Sequence, residues 1–142
     1  MLRIGKLTDY AMLILSQMAK DPDLVLSATS LAESLRLSAP TVSKILKMLS
    51  DADLVTSLRG ADGGYRLARA VNTITLAEVI AAMEGHLALT ECCESAELCA
   101  INTMCTLKEN WAKVNGMVHA FLARITISDM MGTLSLQGVT NG

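Results

Sequence analysis

Cys93, Cys99 and Cys105 recur with five residues between each pair, and Cys92 adjoins the first. Thiolates are soft ligands, so a flexible segment carrying three of them suits an iron–sulfur cluster or zinc, with one further ligand completing four. Incidental buried thiols and a peroxide-responsive disulfide are the competing readings. Even spacing across an acidic, aperiodic stretch favours ligands. Nucleophilic catalysis fits less well, because Glu91, Glu94 and Glu97 stand where a reactive cysteine needs cationic neighbours. The chain also lacks a P-loop and a His-x-x-x-His pair, so no enzymatic activity and no small-molecule substrate are expected.

The elements that position these cysteines follow from capping and periodicity. Thr8 is expected to N-cap a first helix reaching about Lys20, which Asp21-Pro22-Asp23 ends. Ser30 and Glu33 have capping-box spacing for a second helix through Leu35. Ser38 caps a third helix whose first turn contains Pro40. In it Val42, Ile45, Leu46 and Leu49 share a core-facing stripe. Two short runs around Arg59-Gly60-Ala61-Asp62-Gly63-Gly64 predict a β-hairpin. Thr75 and Glu78 open a fourth helix that ends at Gly85. From Leu87 to Cys105 the periodicity fades into a loop. Beyond it Leu107, Trp111, Val114, Val118, Phe121 and Ile125 follow alternating steps of four and three, the seam of a dimerisation helix. Thr126 and Asp129 cap a short closing helix.

The fold expected is mainly α with a small β-hairpin: a winged helix–turn–helix domain plus a long dimerisation helix. Residues 1–85 form the DNA-binding unit, 86–105 the cysteine loop, 106–132 the dimerisation and closing helices, and 133–142 a flexible tail. Arg36 occupies the helix–turn–helix turn, where glycine is common.

Charge divides along the same line. Residues 1–71 carry nine Lys and Arg against seven acids, whereas 72–142 carry three against seven. A polyanion would meet the first half. A third helix of this kind enters the major groove, where Thr41, Ser43, Lys44 and Lys47 supply donors and acceptors. Arg59 at the hairpin tip suits a narrow minor groove. Arg3, Ser38, Gly63 and Tyr65 complete the set of candidate DNA contacts. One such unit reads few base pairs, so a homodimer on double-stranded operator DNA is expected. No stretch approaches the roughly 20 apolar residues of a membrane helix. With no signal-peptide pattern at the start, a cytoplasmic location is expected.

The run Lys6-Leu7-Thr8-Asp9-Tyr10 resembles the IscR/NsrR family of bacterial regulators. So do the segment Leu54 to Gly60 leading to Gly63-Gly64-Tyr65-Arg66-Leu67-Ala68 and the three spaced cysteines. Met1-Leu2-Arg3-Ile4 before it is most similar to the branch that regulates the SUF iron–sulfur assembly system. The resemblance implies Cys93, Cys99 and Cys105 as ligands of an iron–sulfur cluster, of two-iron or four-iron type, and Arg59 as a minor-groove contact. Two positions depart from the IscR pattern. Lys108 stands where that type has a ligand His, and Ser43 where it has a Glu on the recognition helix. The nitric-oxide-sensing branch instead takes a carboxylate from the partner's first helix, a position matched by Asp9. Cys92, Glu91 and Glu94 are rivals for the fourth ligand, with His86 and His119 as further candidates. The implied function is a repressor of iron–sulfur assembly genes that senses through its cluster. The alternative is a thiol-redox or zinc-stabilised adaptor that binds protein and not DNA.

Overall fold

The structure is a computed structural model, in which the described residues are 3–95, 97 and 106–134. Its first helix, α1 (Lys6–Met18), is capped differently from the expectation above. Gly5 is the N-cap and offers no side chain. Thr8 is buried, and its hydroxyl donates to the Glu84 carboxylate at 2.5 Å. The same oxygen accepts the Gly5 N–H at 2.6 Å, so a distant carboxylate serves the open amides of α1.

In α2 (Ala28–Leu35) the cap is Ser27, not Ser30: its Oγ accepts the Ser30 N–H at 3.0 Å. Ser27 has the extended backbone that an N-cap requires, whereas Ser30 lies inside the first turn. Arg36 then takes a left-handed conformation (φ 56°, ψ 41°), which turns the chain into α3 (Ala39–Asp51). Ser38 caps α3 as predicted, and Val42, Ile45, Leu46 and Leu49 are all fully buried.

Strands β1 (Val55–Leu58) and β2 (Gly64–Leu67) pair antiparallel, with Val55 opposite Leu67 and Leu58 opposite Gly64. A third stretch joins them. Leu26, in the α1–α2 connection, exchanges both backbone hydrogen bonds with Tyr65 at 2.9 and 2.8 Å. This close approach explains Gly64, since a Cβ there would lie 2.5 Å from the Leu26 carbonyl oxygen. At the turn, a Cβ on Gly63 would sit 2.5 Å from the Leu58 carbonyl oxygen.

After a 3₁₀ turn (Val71–Thr73), α4 (Leu76–Glu84) starts with the expected capping box of Thr75 and Glu78 and stops at Gly85. The segment expected to be wholly loop contains one helical turn, α5 (Glu91–Glu94). The long helix α6 (Lys108–Leu122) ends before Ile125. The chain then returns to the first unit, with Leu76 N–H donating to Ile125 C=O at 2.8 Å and Ile127 N–H to Ile74 C=O at 2.9 Å. Helix α7 (Ile127–Met131) has the expected Thr126–Asp129 capping box, and Ile127 is fully buried in the core shared by α1, α3 and α4. The tail from residue 135 onward, like Cys99 and Cys105, lies outside the described residues.

Candidate nucleic-acid interface and cysteine segment

With one side of α3 sealed in the core, the other is left to solvent. Pro40, Ser43, Lys44, Lys47 and Asp51 are exposed along it. Ser38 and Thr41 are engaged locally: the Ser38 hydroxyl donates to the Thr41 hydroxyl at 2.6 Å, and the Thr41 N–H donates back at 3.3 Å. Ser43, Lys44 and Lys47 are therefore the side chains presented outward by this helix. Its placement depends on Arg36, whose left-handed turn is one that a side chain rarely adopts.

Arg59 is exposed at the head of the wing turn, where Gly63 N–H closes onto Gly60 C=O at 3.0 Å. Tyr65 is half-buried and packs against the core while its backbone holds Leu26, so it anchors the wing. Behind the wing, Arg69 donates to the Thr73 carbonyl at 2.5 Å and forms an ion pair with Glu78. Partial burial pushes the Glu78 carboxyl upward. The Thr75 N–H and the Arg69 guanidinium outweigh this and hold it below the usual glutamate range. Arg3 is exposed and lines a cleft of about 280 Å³ with Glu84, His86 and Leu87.

Cys93 lies in α5 and is half-buried. The Thr90 hydroxyl donates to its sulfur at 3.2 Å, and the Thr90 carbonyl accepts the Cys93 N–H at 3.0 Å. Cys92 and Glu91 belong to the same turn, and Glu94 is exposed. Asp9 is exposed in the first turn of α1, and its carboxylate has no partner among the described residues. His86 and His119 are exposed too. Among the described residues no group of three or more His, Cys, Asp or Glu is placed to hold a metal ion.

Along α6 no residue is fully buried. Leu107, Trp111, Val114 and Phe121 are exposed, Val118 is half-buried, and Met117 is 72% exposed. Ile125 does not continue this stripe: the helix has ended, and the residue is only 3% exposed within its own protomer.

Sequence reasoning missed Glu84, Thr90, Asn115 and Met117. Glu84 carried a signal, since an acid in a helix's last turn opposes the dipole unless it serves another element. Asn115, a weak helix former inside a long helix, carried another. Met117 lies three residues from Val114 and four from Phe121, a second path through the same seam.

Helix–turn–helix, wing and exposed recognition face define a winged-helix DNA-binding protein. The chain belongs to the Rrf2 family, described as iron-dependent transcriptional regulators, whose profile matches residues 4–133. It is 31% identical to Protein aau3 of Rhizobium meliloti over 131 residues, 92% of this chain and 85% of that protein. CymR (YrzC), the global cysteine regulator of B. subtilis, superposes with a TM-score of 0.69 at 28% identity, covering 92% of this chain and 97% of CymR. T. potens IscR gives a TM-score of 0.66 at 29% identity, over 92% and 86%. A family of transcriptional regulators accords with the expected absence of enzymatic chemistry. Among the described residues, no helix is long and apolar enough to cross a membrane.

Proposed function

We propose that the chain is a homodimeric repressor of iron–sulfur assembly genes, of the kind serving the SUF system, and that a cluster on Cys93, Cys99 and Cys105 sets its operator affinity. One observation carries the sensing part of this reading. Cys93, hydrogen-bonded by Thr90, sits on the connection between α4, which caps α1 through Glu84, and the exposed helix α6. A hydroxyl bonded to sulfur is an outer-shell contact suited to a metal-ligating thiolate. Asp9, on the first turn of α1 and without a partner among the described residues, is available to a partner subunit as fourth ligand. When bound, the cluster supplies a link that oxidants, nitric oxide or iron shortage would break.

The remaining roles belong to the chain's own side chains. Ser43, Lys44 and Lys47 meet the major groove, and Arg59 the minor groove. The apolar side chains of α6 meet a second copy, which puts two recognition helices on two half-sites. The side chains that would read DNA all lie within residues 1–85, and residues 86–105 form the sensor.

The test is an anaerobic gel shift of cluster-loaded and apo protein on the promoter of the protein's own operon, with iron and sulfide assayed in parallel. A difference of at least about tenfold, equivalent to 1.4 kcal/mol, is expected. Equal affinities would remove sensing and leave DNA binding intact. A second reading, a thiol response without a cluster, is supported by the likeness to the cysteine regulator CymR. It requires colourless, iron-free protein after anaerobic reconstitution.

A further inference from the structure

We infer that Asn115 is a positioning residue that fastens the cysteine-bearing turn to α6. Its side-chain carbonyl accepts the Leu89 N–H at 2.9 Å, and its amide NH₂ donates to the Leu87 carbonyl at 3.1 Å. A single side chain thus takes up an acceptor and a donor two residues apart, as one residue of a parallel neighbouring strand does. Neither backbone group has another hydrogen bond among the described residues.

The setting shows that this is more than a local contact. Asn115 is half-buried, whereas Ala112, Lys113, Val114, Gly116 and Met117 around it are exposed. It therefore faces its own protomer while Val114 and Met117 face outward. Thr90 follows Leu89 directly and bonds Cys93 through both backbone and sulfur. Through these hydrogen bonds Thr90 alone links the clamp at Leu89 to the thiol of Cys93. A displacement of Cys93 on gaining or losing a ligand is thereby carried to α6 and its apolar stripe. This extends, and rests on, the proposal that Cys93 senses and α6 joins two copies.

The test uses the full-length chain with Asn115→Leu, which removes both bonds, and Asn115→Asp, which keeps the acceptor for Leu89 and loses the donor to Leu87. Two measurements on apo protein read the clamp directly. Hydrogen exchange at the Leu89 amide should accelerate at least about tenfold in Asn115→Leu and stay near the parent rate in Asn115→Asp. Alkylation of Cys93, resolved from the other cysteines by tandem mass spectrometry, should accelerate about tenfold in Asn115→Leu and about threefold in Asn115→Asp. The ratio of cluster-loaded to apo operator affinity should fall toward unity in Asn115→Leu, with unchanged helical circular dichroism. Parental exchange and alkylation rates in Asn115→Leu would overturn the proposal. Should that variant not fold, a parental alkylation rate in Asn115→Asp would do the same. A ratio of one in the parent protein would sink the cluster reading alone, because the apo measurements still decide the clamp.

Discussion

The hydroxyl of Thr8 and the carboxylate of Glu84, 76 positions apart, meet at 2.5 Å and join the start of α1 to the end of α4. The charge gains from the arrangement: at the foot of its own helix Glu84 faces a negative dipole end, while beside α1 it faces a positive one. Thr8 is only 2% exposed, so water cannot replace this bond, and its hydroxyl has no other partner among the described residues. Thr8→Val should cost about 1–2 kcal/mol in urea unfolding, and Thr8→Ser should retain most of that stability.

Ile127 fills the core from the far end of the chain. Ile127→Ala should destabilise by about 2–5 kcal/mol, whereas Met130→Ala on the exposed side of α7 should stay within about 0.5 kcal/mol. Thermal melts of the two variants make the comparison.

The capping-box carboxylate gives stability a pH dependence. Glu78 titrates lower in the folded chain than in the unfolded one. Its contribution is therefore complete above the unfolded glutamate value and is lost as pH falls through the folded one. The Arg69 and Glu78 side chains are 38% and 40% exposed, so water screens the pair. An effect of about 0.2–1 kcal/mol is expected, abolished by Glu78→Gln and weakened by salt. Urea midpoints between pH 7 and pH 3 for both proteins would show it as a shallower acid slope in the variant.

Lys47 and Arg59 should separate in their effects on DNA. As a phosphate contact, Lys47→Ala should lower affinity across sequences alike and reduce the salt slope by about one. Arg59→Ala should cost most on sites with a narrow, A·T-rich minor groove. Fluorescence anisotropy over a salt series distinguishes them, and an unchanged slope in Lys47→Ala would remove α3 from the backbone.

Trp111 and Ile125 provide a paired test of the α6 surface. Trp111→Glu should convert a dimer to a monomer in analytical ultracentrifugation without unfolding it. Ile125→Glu should unfold the protomer, because an uncompensated charge would be buried there.

Where local chemistry decides the structure, the sequence was legible. The Ser38 cap, the Thr75–Glu78 and Thr126–Asp129 boxes and the buried face of α3 are set by neighbours three or four positions apart, and the hairpin by two short runs around one glycine-rich turn. Thr8 misled because its hydroxyl is claimed by Glu84, a long-range partner invisible to capping rules. Ile125 misled for a related reason: its spacing continues the α6 seam, yet the backbone bond to Leu76 draws it inward. At the sensor end, cysteine spacing named the candidates. The Asn115 contacts to the segment before Cys93 reach back 26 and 28 residues, beyond any local pattern.

The return of Ile125–Ile127 to Ile74 and Leu76 has a consequence for modularity. The DNA-reading unit is continuous in space but not along the chain: its last core side chain is delivered after α6. It is not a cassette that can be cut at residue 85 and grafted elsewhere. Any such fragment would carry a hole where Ile127 belongs. Reshaping the sensor by recombination must therefore replace the stretch between two fixed anchors, as an insertion is exchanged within a host, and not as one bead is swapped on a string.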